Sequence, residues 1–179
     1  MGQAGPTDEV LMRQYVVDGE RGAFEALFRR YAVRLNGYFL RTVGSESLAQ
    51  DMVQQTFLHV HRARADFRQG APFRPWLYAI AANVRREHFR KRYRRPETQL
   101  DPAVHGEPTT APATSTRTDR LVRRALDALP ESQREVVVLH WYEELSFAEI
   151  AELVGASRSA VKVRAHRAYN KLRQVLGEG

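Results

Sequence analysis

Between Phe67 and Tyr93 the chain sets aromatic rings among guanidinium groups. Phe67, Phe73, Trp76, Tyr78, Phe89 and Tyr93 punctuate a stretch whose outward helical face carries Ala79, Asn83, Arg86, Glu87 and Arg90. Rings stack on any unstacked base, and a carboxamide can read base edges. Guanidiniums attract a phosphate backbone without regard to sequence. Single-stranded nucleic acid is a ligand that such a set could hold. Phe73 and Trp76 are read as core residues. Phe67 lies in the breaker-rich stretch "DFRQGAPFRP", where a core role is less compelling.

A second charged cluster stands near the C-terminus. Arg158, Lys162, Arg164, Arg167, Lys171 and Arg173 place six positive charges between 158 and 173 with no acid among them. The preceding segment has Ser146 followed three residues on by Glu149, the pattern of a capping box. Gly155 then permits a turn, and Ser157 can cap the next helix. Ala160, Val161 and Ala165 would face inward. A short capped helix, a glycine turn and a charged second helix make a helix-turn-helix. Its second helix would enter a major groove with its N-terminal half near the base edges.

Other chemistries find no residues. The chain has no cysteine, so thiol nucleophiles, disulfides and thiolate zinc sites are excluded. His59 and His61 lie about 200° apart on a helix and cannot chelate one metal together. Asp51, Glu87, Glu143 and Glu144 follow no catalytic spacing, and there is neither H-E-x-x-H nor a phosphate-binding glycine loop. No enzymatic activity, metal or cofactor is expected.

The elements that must position these groups read as helices throughout. Residues 8–95 show four apolar stripes at helical spacing. The first runs through Val10, Leu11, Gln14 and Tyr15, with Gly19 suited to the end of the helix. The second runs from Phe24 through Leu27, Phe28, Tyr31 and Leu35 to Tyr38 and Phe39. The third follows Ser45 or Ser47 as a cap and carries Leu48, Met52, Val53, Thr56, Phe57 and Val60. The fourth starts near Phe73 and passes from "WLYAIAANV" into "RREHFRKRYRR". Residues 119–177 give further helices, one stopped by Pro130 and the next begun at Pro130 or Ser132. Between the blocks, residues 96–118 are rich in Pro, Thr and Ala and poor in large apolar side chains, as befits an extended linker. The expected fold is all-α: two small helical domains, 8–95 and 119–177, joined by a flexible linker, with the helix-turn-helix in the second.

Charge sharpens this division. Of a net charge of +7, residues 81–95 supply seven basic groups against one acid. That block could attract a polyanion, nucleic acid before membrane, since its apolar side is already claimed by the helical bundle. No run of 18 apolar residues occurs and no signal peptide is expected. A cytoplasmic protein without membrane insertion is anticipated.

The ordered series "AFEALFRRY", "AQDMVQQTFLHVHR", "FRQGAPFRPWLYAIAANVRREHFRKR" and "ALDALPESQREVVVLHWYEELSFAEIAELVGASRSAVKVRAHRA" resembles the extracytoplasmic-function sigma factors, the two-domain group of the main bacterial sigma family. The resemblance implies a factor that binds core RNA polymerase and promoter DNA. It places Asp51, Gln54 and Gln55 as polar contacts to the polymerase clamp helices, with Gln55 where the family usually has an acid. It makes Phe67, Ile80 and Asn83 the walls and reader of a pocket for a flipped minus-ten base. Glu87 stands where the family usually has Asp. Arg86, Arg90, Arg92 and Arg94 would hold the separated strand. Arg158, Lys162, Arg164, His166 and Arg167 fall on the minus-thirty-five recognition helix, with Lys162 and Arg167 as base contacts. It also implies an anti-sigma partner, for which an apolar surface between the domains is a natural target. The alternative is a stand-alone helix-turn-helix regulator with an N-terminal sensing domain.

Overall fold

The computed structural model describes residues 5–94 and 117–177, with backbone alone at 92–94. The first unit contains α1 (Asp8–Val17), α2 (Arg21–Val43), α3 (Glu46–Arg62), a short 3-10 turn at Arg64–Asp66 and α4 (Phe73–Arg94). The second contains α5 (Arg117–Asp127), α6 (Glu131–Trp141), α7 (Phe147–Val154) and α8 (Arg158–Gly177). The described residues contain helices and no strand, as the apolar periodicity requires.

Local signals set the helix ends. Thr7 and Ser45 cap α1 and α3 by accepting from the Val10 and Leu48 amides, which fulfils the serine expectation at its first alternative. Gly44 ends α2 in the left-handed region at φ 77°, a conformation that costs glycine little. Pro130 stands before the first residue of α6. The helix α5 already starts at Arg117, two residues inside the segment expected to be linker. The rest of that segment, 96–116, lies outside the described residues.

The first core gathers Leu11, Met12, Leu27, Leu35, Phe39, Met52, Val60 and Leu77 from all four helices. The expected inward stripe of α1 is kept at Leu11 and Tyr15 and shifted at its edge. Val10 is 44% exposed and Met12 is buried in its place. The shift follows from Asp8, which accepts hydrogen bonds from Tyr31 and Arg30 of α2 and turns that edge of α1 onto its neighbour. Phe28, expected in the inward stripe of α2, is 39% exposed. The second core is built on Val136, Leu139, Leu145, Ile150 and Val161.

The two units pack against each other. The helix α6 lies on α2, α7 lies on α4, and the apolar clusters of both units are continuous. Neither the length nor the composition of the linker dictates this closed arrangement.

Candidate nucleic-acid and polymerase interface

The outward face of α4 meets the second unit across a crevice of 480 Å³. Pro75, Trp76, Ala79, Asn83 and Arg86 line one wall, and Glu149, Glu152, Leu153 and Gly155 line the other. The Arg86 guanidinium donates to Asn83 Oδ1 at 2.6 Å and to the Leu153 carbonyl at 3.0 Å. That carbonyl belongs to the last turn of α7, the negative end of its dipole. Arg90 is exposed one turn further along α4. Glu87 pairs with Lys91 at 2.9 Å, and this hydrogen bond holds its carboxyl below the ordinary range. The side chains of Arg92 and Arg94 lie outside the described set.

Asn83 lines the crevice, but Phe67 and Ile80 do not. The Phe67 ring is only 7% exposed and meets Trp76 edge-on with centroids 5.0 Å apart. Its loop is therefore folded onto the core, which gives Phe67 the core role that its breaker-rich stretch made less compelling. Phe67 borders a separate hollow of 240 Å³ with Glu9, Val10 and Gly70. Ile80 is half-buried against the core. Phe73 is fully buried, as expected. Trp76 is not plain core: one side packs on Phe67 and Phe73, and the other lines the crevice beside Asn83. Its place seven residues before Asn83, two turns along the same face, was the available signal.

On α3, Asp51, Gln54 and Gln55 are all exposed. Leu58, 46% exposed, completes the i, i+3, i+4, i+7 series and adds an apolar centre to that polar face. The opposite stripe of α3 is buried through Met52, Val53, Thr56 and Val60.

The helix-turn-helix forms as its signals require. Ser146 and Glu149 make both hydrogen bonds of the capping box, at 3.2 and 2.8 Å. Gly155 ends α7 at φ 65°, and Ser157 Oγ accepts from the Ala160 amide at 3.1 Å. Arg158, Lys162, His166 and Arg167 project from α8 into solvent, whereas Arg164 is half-buried. Val163, 47% exposed, lies one turn before Arg167 on the same row of α8.

Beside the crevice runs a charged seam that spacing could not disclose. Arg85 is 1% exposed, and its guanidinium pairs with Glu131 at 2.7 Å and Glu135 at 2.6 Å from α6. Tyr38 donates to Glu135 at 3.2 Å, and Tyr78 donates to Glu143. Arg34 lies 3.5 Å from Glu143, and Arg74 lies 3.5 Å from Glu144. Burial pushes both tyrosine hydroxyls far above their ordinary range, so each remains a neutral donor. Burial also raises the Glu143 carboxyl, against the opposing effects of Tyr78, Arg34 and Arg41.

Comparison with known proteins accounts for both units. Residues 27–95 match the family model for Sigma-70 region 2, and residues 119–172 match that for Sigma-70 region 4. The RNA polymerase sigma factor CarQ of Myxococcus xanthus is 42% identical over 90% of this chain and 93% of its own length. The chain belongs to the extracytoplasmic-function sigma factors. SigM of Mycobacterium tuberculosis, an ECF RNA polymerase sigma factor, is 31% identical over 98% of this chain and 88% of its own. Among solved structures, CnrH in complex with the cytosolic domain of CnrY superposes with a TM-score of 0.71 at 31% identity, covering 96% of this chain and 97% of that one. The Bartonella quintana sigma factor RpoE, in complex with the anti-sigma factor NepR, gives 0.73 at 25% identity over 86% and 96%. The protein is thus an RNA polymerase sigma factor, a factor of transcription initiation, and the stand-alone regulator is not favoured.

Proposed function

We propose that this sigma factor divides its work among three faces. The unit at 8–95 binds core RNA polymerase through Asp51, Gln54 and Gln55 of α3, with Leu58 as their apolar centre. The same unit reads and opens the minus-ten element. It would use Asn83 as the reader of a flipped base and Ile80 and Phe67 as walls, with Phe67 acting through Trp76, on which it packs. Arg86, Arg90, Arg92 and Arg94 hold the separated strand. Extrusion of a base costs a few kcal/mol, offset by stacking and edge hydrogen bonds, so no nucleotide hydrolysis is needed. The unit at 119–177 reads the minus-thirty-five element through Lys162 and Arg167, flanked by Arg158, Arg164 and His166. The linker ahead of Arg117 lets the two units reach elements set apart on one promoter. The factor carries no catalytic residue and works in the bacterial cytoplasm, where its polymerase is.

One observation carries this reading: Asn83 and Arg86, an amide and a guanidinium, stand exposed beside Trp76 on the helix that leads into the basic block. An anti-sigma partner is proposed as well, supported by the two solved relatives whose complexes contain CnrY and NepR.

The test is transcription from a random-promoter library with core polymerase. Asn83→Ala should cut open-complex formation by about tenfold or more, on the scale of a base-reading contact, while core binding is kept. Equal loss of both would remove Asn83 from the reader role. The double variant Lys162→Ala/Arg167→Ala should lose selection of the upstream element and retain polymerase binding. Unchanged promoter choice would show that the recognition register is misplaced.

A further inference from the structure

The first residue of α4 is held by a side chain from another helix. The Phe73 amide donates to Glu9 Oε1 of α1 at 3.1 Å, across 64 residues of chain. The leading amides of a helix have no acceptor within it, and a carboxylate placed there also meets the positive end of the helix dipole. The first turn of α4 carries no acid of its own, and Pro75 in that turn has no amide to donate. Glu9 therefore supplies, from α1, the negative charge that this turn lacks.

The residue before Glu9 fixes α1 itself. Asp8 accepts from Tyr31 and, at 2.7 Å, from Arg30, so it ties α1 to α2. Glu9 ties α1 to α4. Between α3 and α4 lies the Phe67 loop, which turns through an Ala71 amide donating to the Arg68 carbonyl at 3.0 Å and through Gly70 at φ 79°. The Phe67 ring meets Phe73 and Trp76 edge-on, with centroids 6.1 and 5.0 Å away. Phe67 and Gly70 share the hollow of 240 Å³ with Glu9, Val10 and Val16 of α1. The loop is thus gripped at Phe67 by rings and at Phe73 by Glu9. The residues matched to Sigma-70 region 2 begin at 27, so α1 lies wholly ahead of them.

We propose that Glu9 is a positioning residue for promoter reading: by holding the Phe73 amide it sets the start of α4, and with it the place of the Phe67 loop and of Trp76 beside Asn83. The inference rests on the proposed role of Asn83 as a base reader. Trp76 stands one turn after Phe73, and Asn83 stands two turns beyond Trp76. If the first turn of α4 frays, Trp76 loses its fixed place. A recognition site depends on supporting contacts that hold its groups to about 0.5 Å, so such a loss is felt at the base. The proposed polymerase face on α3 stands outside this series of contacts, and core binding should not follow it.

The test uses full-length protein with core polymerase. Open-complex formation is compared between the preferred minus-ten element and the same element changed at single bases, for wild type, Asn83→Ala, Glu9→Ala and Glu9→Gln. Asn83→Ala identifies the base that Asn83 reads, as the one whose discrimination it relaxes. At that base Glu9→Ala should lower discrimination by about fivefold, the scale of losing one helix cap, with core affinity unchanged. Glu9→Gln keeps an acceptor oxygen and should discriminate as wild type does. If Asn83→Ala relaxes discrimination and Glu9→Ala does not, the positioning role alone is overturned. If Asn83→Ala relaxes no base, the reader assignment falls and the proposal with it. Equal losses of core affinity and discrimination in Glu9→Ala would make Glu9 a general stabiliser and also overturn the role. A second readout needs no DNA. The chain has two tryptophans, so in a Trp141→Phe background the emission comes from Trp76. Acrylamide quenching should rise in Glu9→Ala and stay at the background level in Glu9→Gln. Unchanged quenching in Glu9→Ala would mean that the rings place Trp76 without Glu9, against the proposal.

Discussion

Arg85 and Arg86 are neighbours in sequence and opposites in use. Both belong to a block of seven basic residues, and nothing local separates them. One helical step, about 100°, turns Arg85 under the second unit and leaves Arg86 at the crevice. The outward set on α4 could be read from helical register alone, which is why Asn83, Arg86 and Arg90 emerge where spacing puts them. Arg85 could not, because its burial depends on Glu131 and Glu135, 46 and 50 residues further along the chain. The same holds for Glu143, a carboxylate of no discernible pattern that the fold buries against Tyr78, Arg34 and Arg41. Its carboxyl is raised in the folded protein, so its contribution to stability is present below the ordinary value of 4.5 and is lost as pH rises through the raised value. Glu143→Gln keeps an oxygen for Tyr78 and cannot ionise. The melting temperature of Glu143→Gln relative to wild type should therefore climb from acid toward neutral pH. A gap that moves the other way would mean that the pairing with Arg34 outweighs burial.

Among the elements, legibility follows how local the cause is. The pair α7–α8 was readable because its capping box, its turn glycine and its second cap all lie within a dozen residues of sequence. By contrast, α1 was placed correctly but shifted at its edge, since Asp8 finds its partners on α2. The Phe67 loop is illegible for a related reason: glycine and proline mark a turn, but not the core onto which its ring folds. The capping box gives a direct test of element stability. Ser146→Ala removes the acceptor for the Glu149 amide and should cost about 1 kcal/mol. A drop of several degrees in the thermal midpoint would register it. Because α7 also supplies one wall of the crevice, the same variant should loosen the contact between Arg86 and Leu153. An unchanged midpoint would mean that tertiary packing alone holds α7 in place.

At the scale of the whole molecule, the sequence supplies two units and a tether but leaves their contact undetermined. The seam is assembled from single residues on α2, α4, α6 and the α6–α7 turn, each polar and each unremarkable in its own stretch. Its strength can be judged by leaving a buried cation without a counter-charge, which typically costs 3–5 kcal/mol, on the order of the stability of a small interface. In Glu131→Gln/Glu135→Gln, Arg85 would recover hydration only if the units part. Small-angle scattering should then report a larger radius of gyration while circular dichroism keeps the helical content. A compact variant with normal helicity would show that the apolar contacts hold the units together without the charges.

The burial of Arg85 also changes how the factor distributes itself among competing polyanions. A chain with a net charge of +7 is exposed to a vast excess of non-specific duplex, which draws in basic proteins in proportion to the phosphates they can neutralise. With Arg85 sealed and Arg34, Arg74 and Arg86 occupied at the seam, the closed protein offers fewer cations to that reservoir than its composition suggests. The seam thus lowers the pull of that reservoir without removing a single basic residue from the sequence.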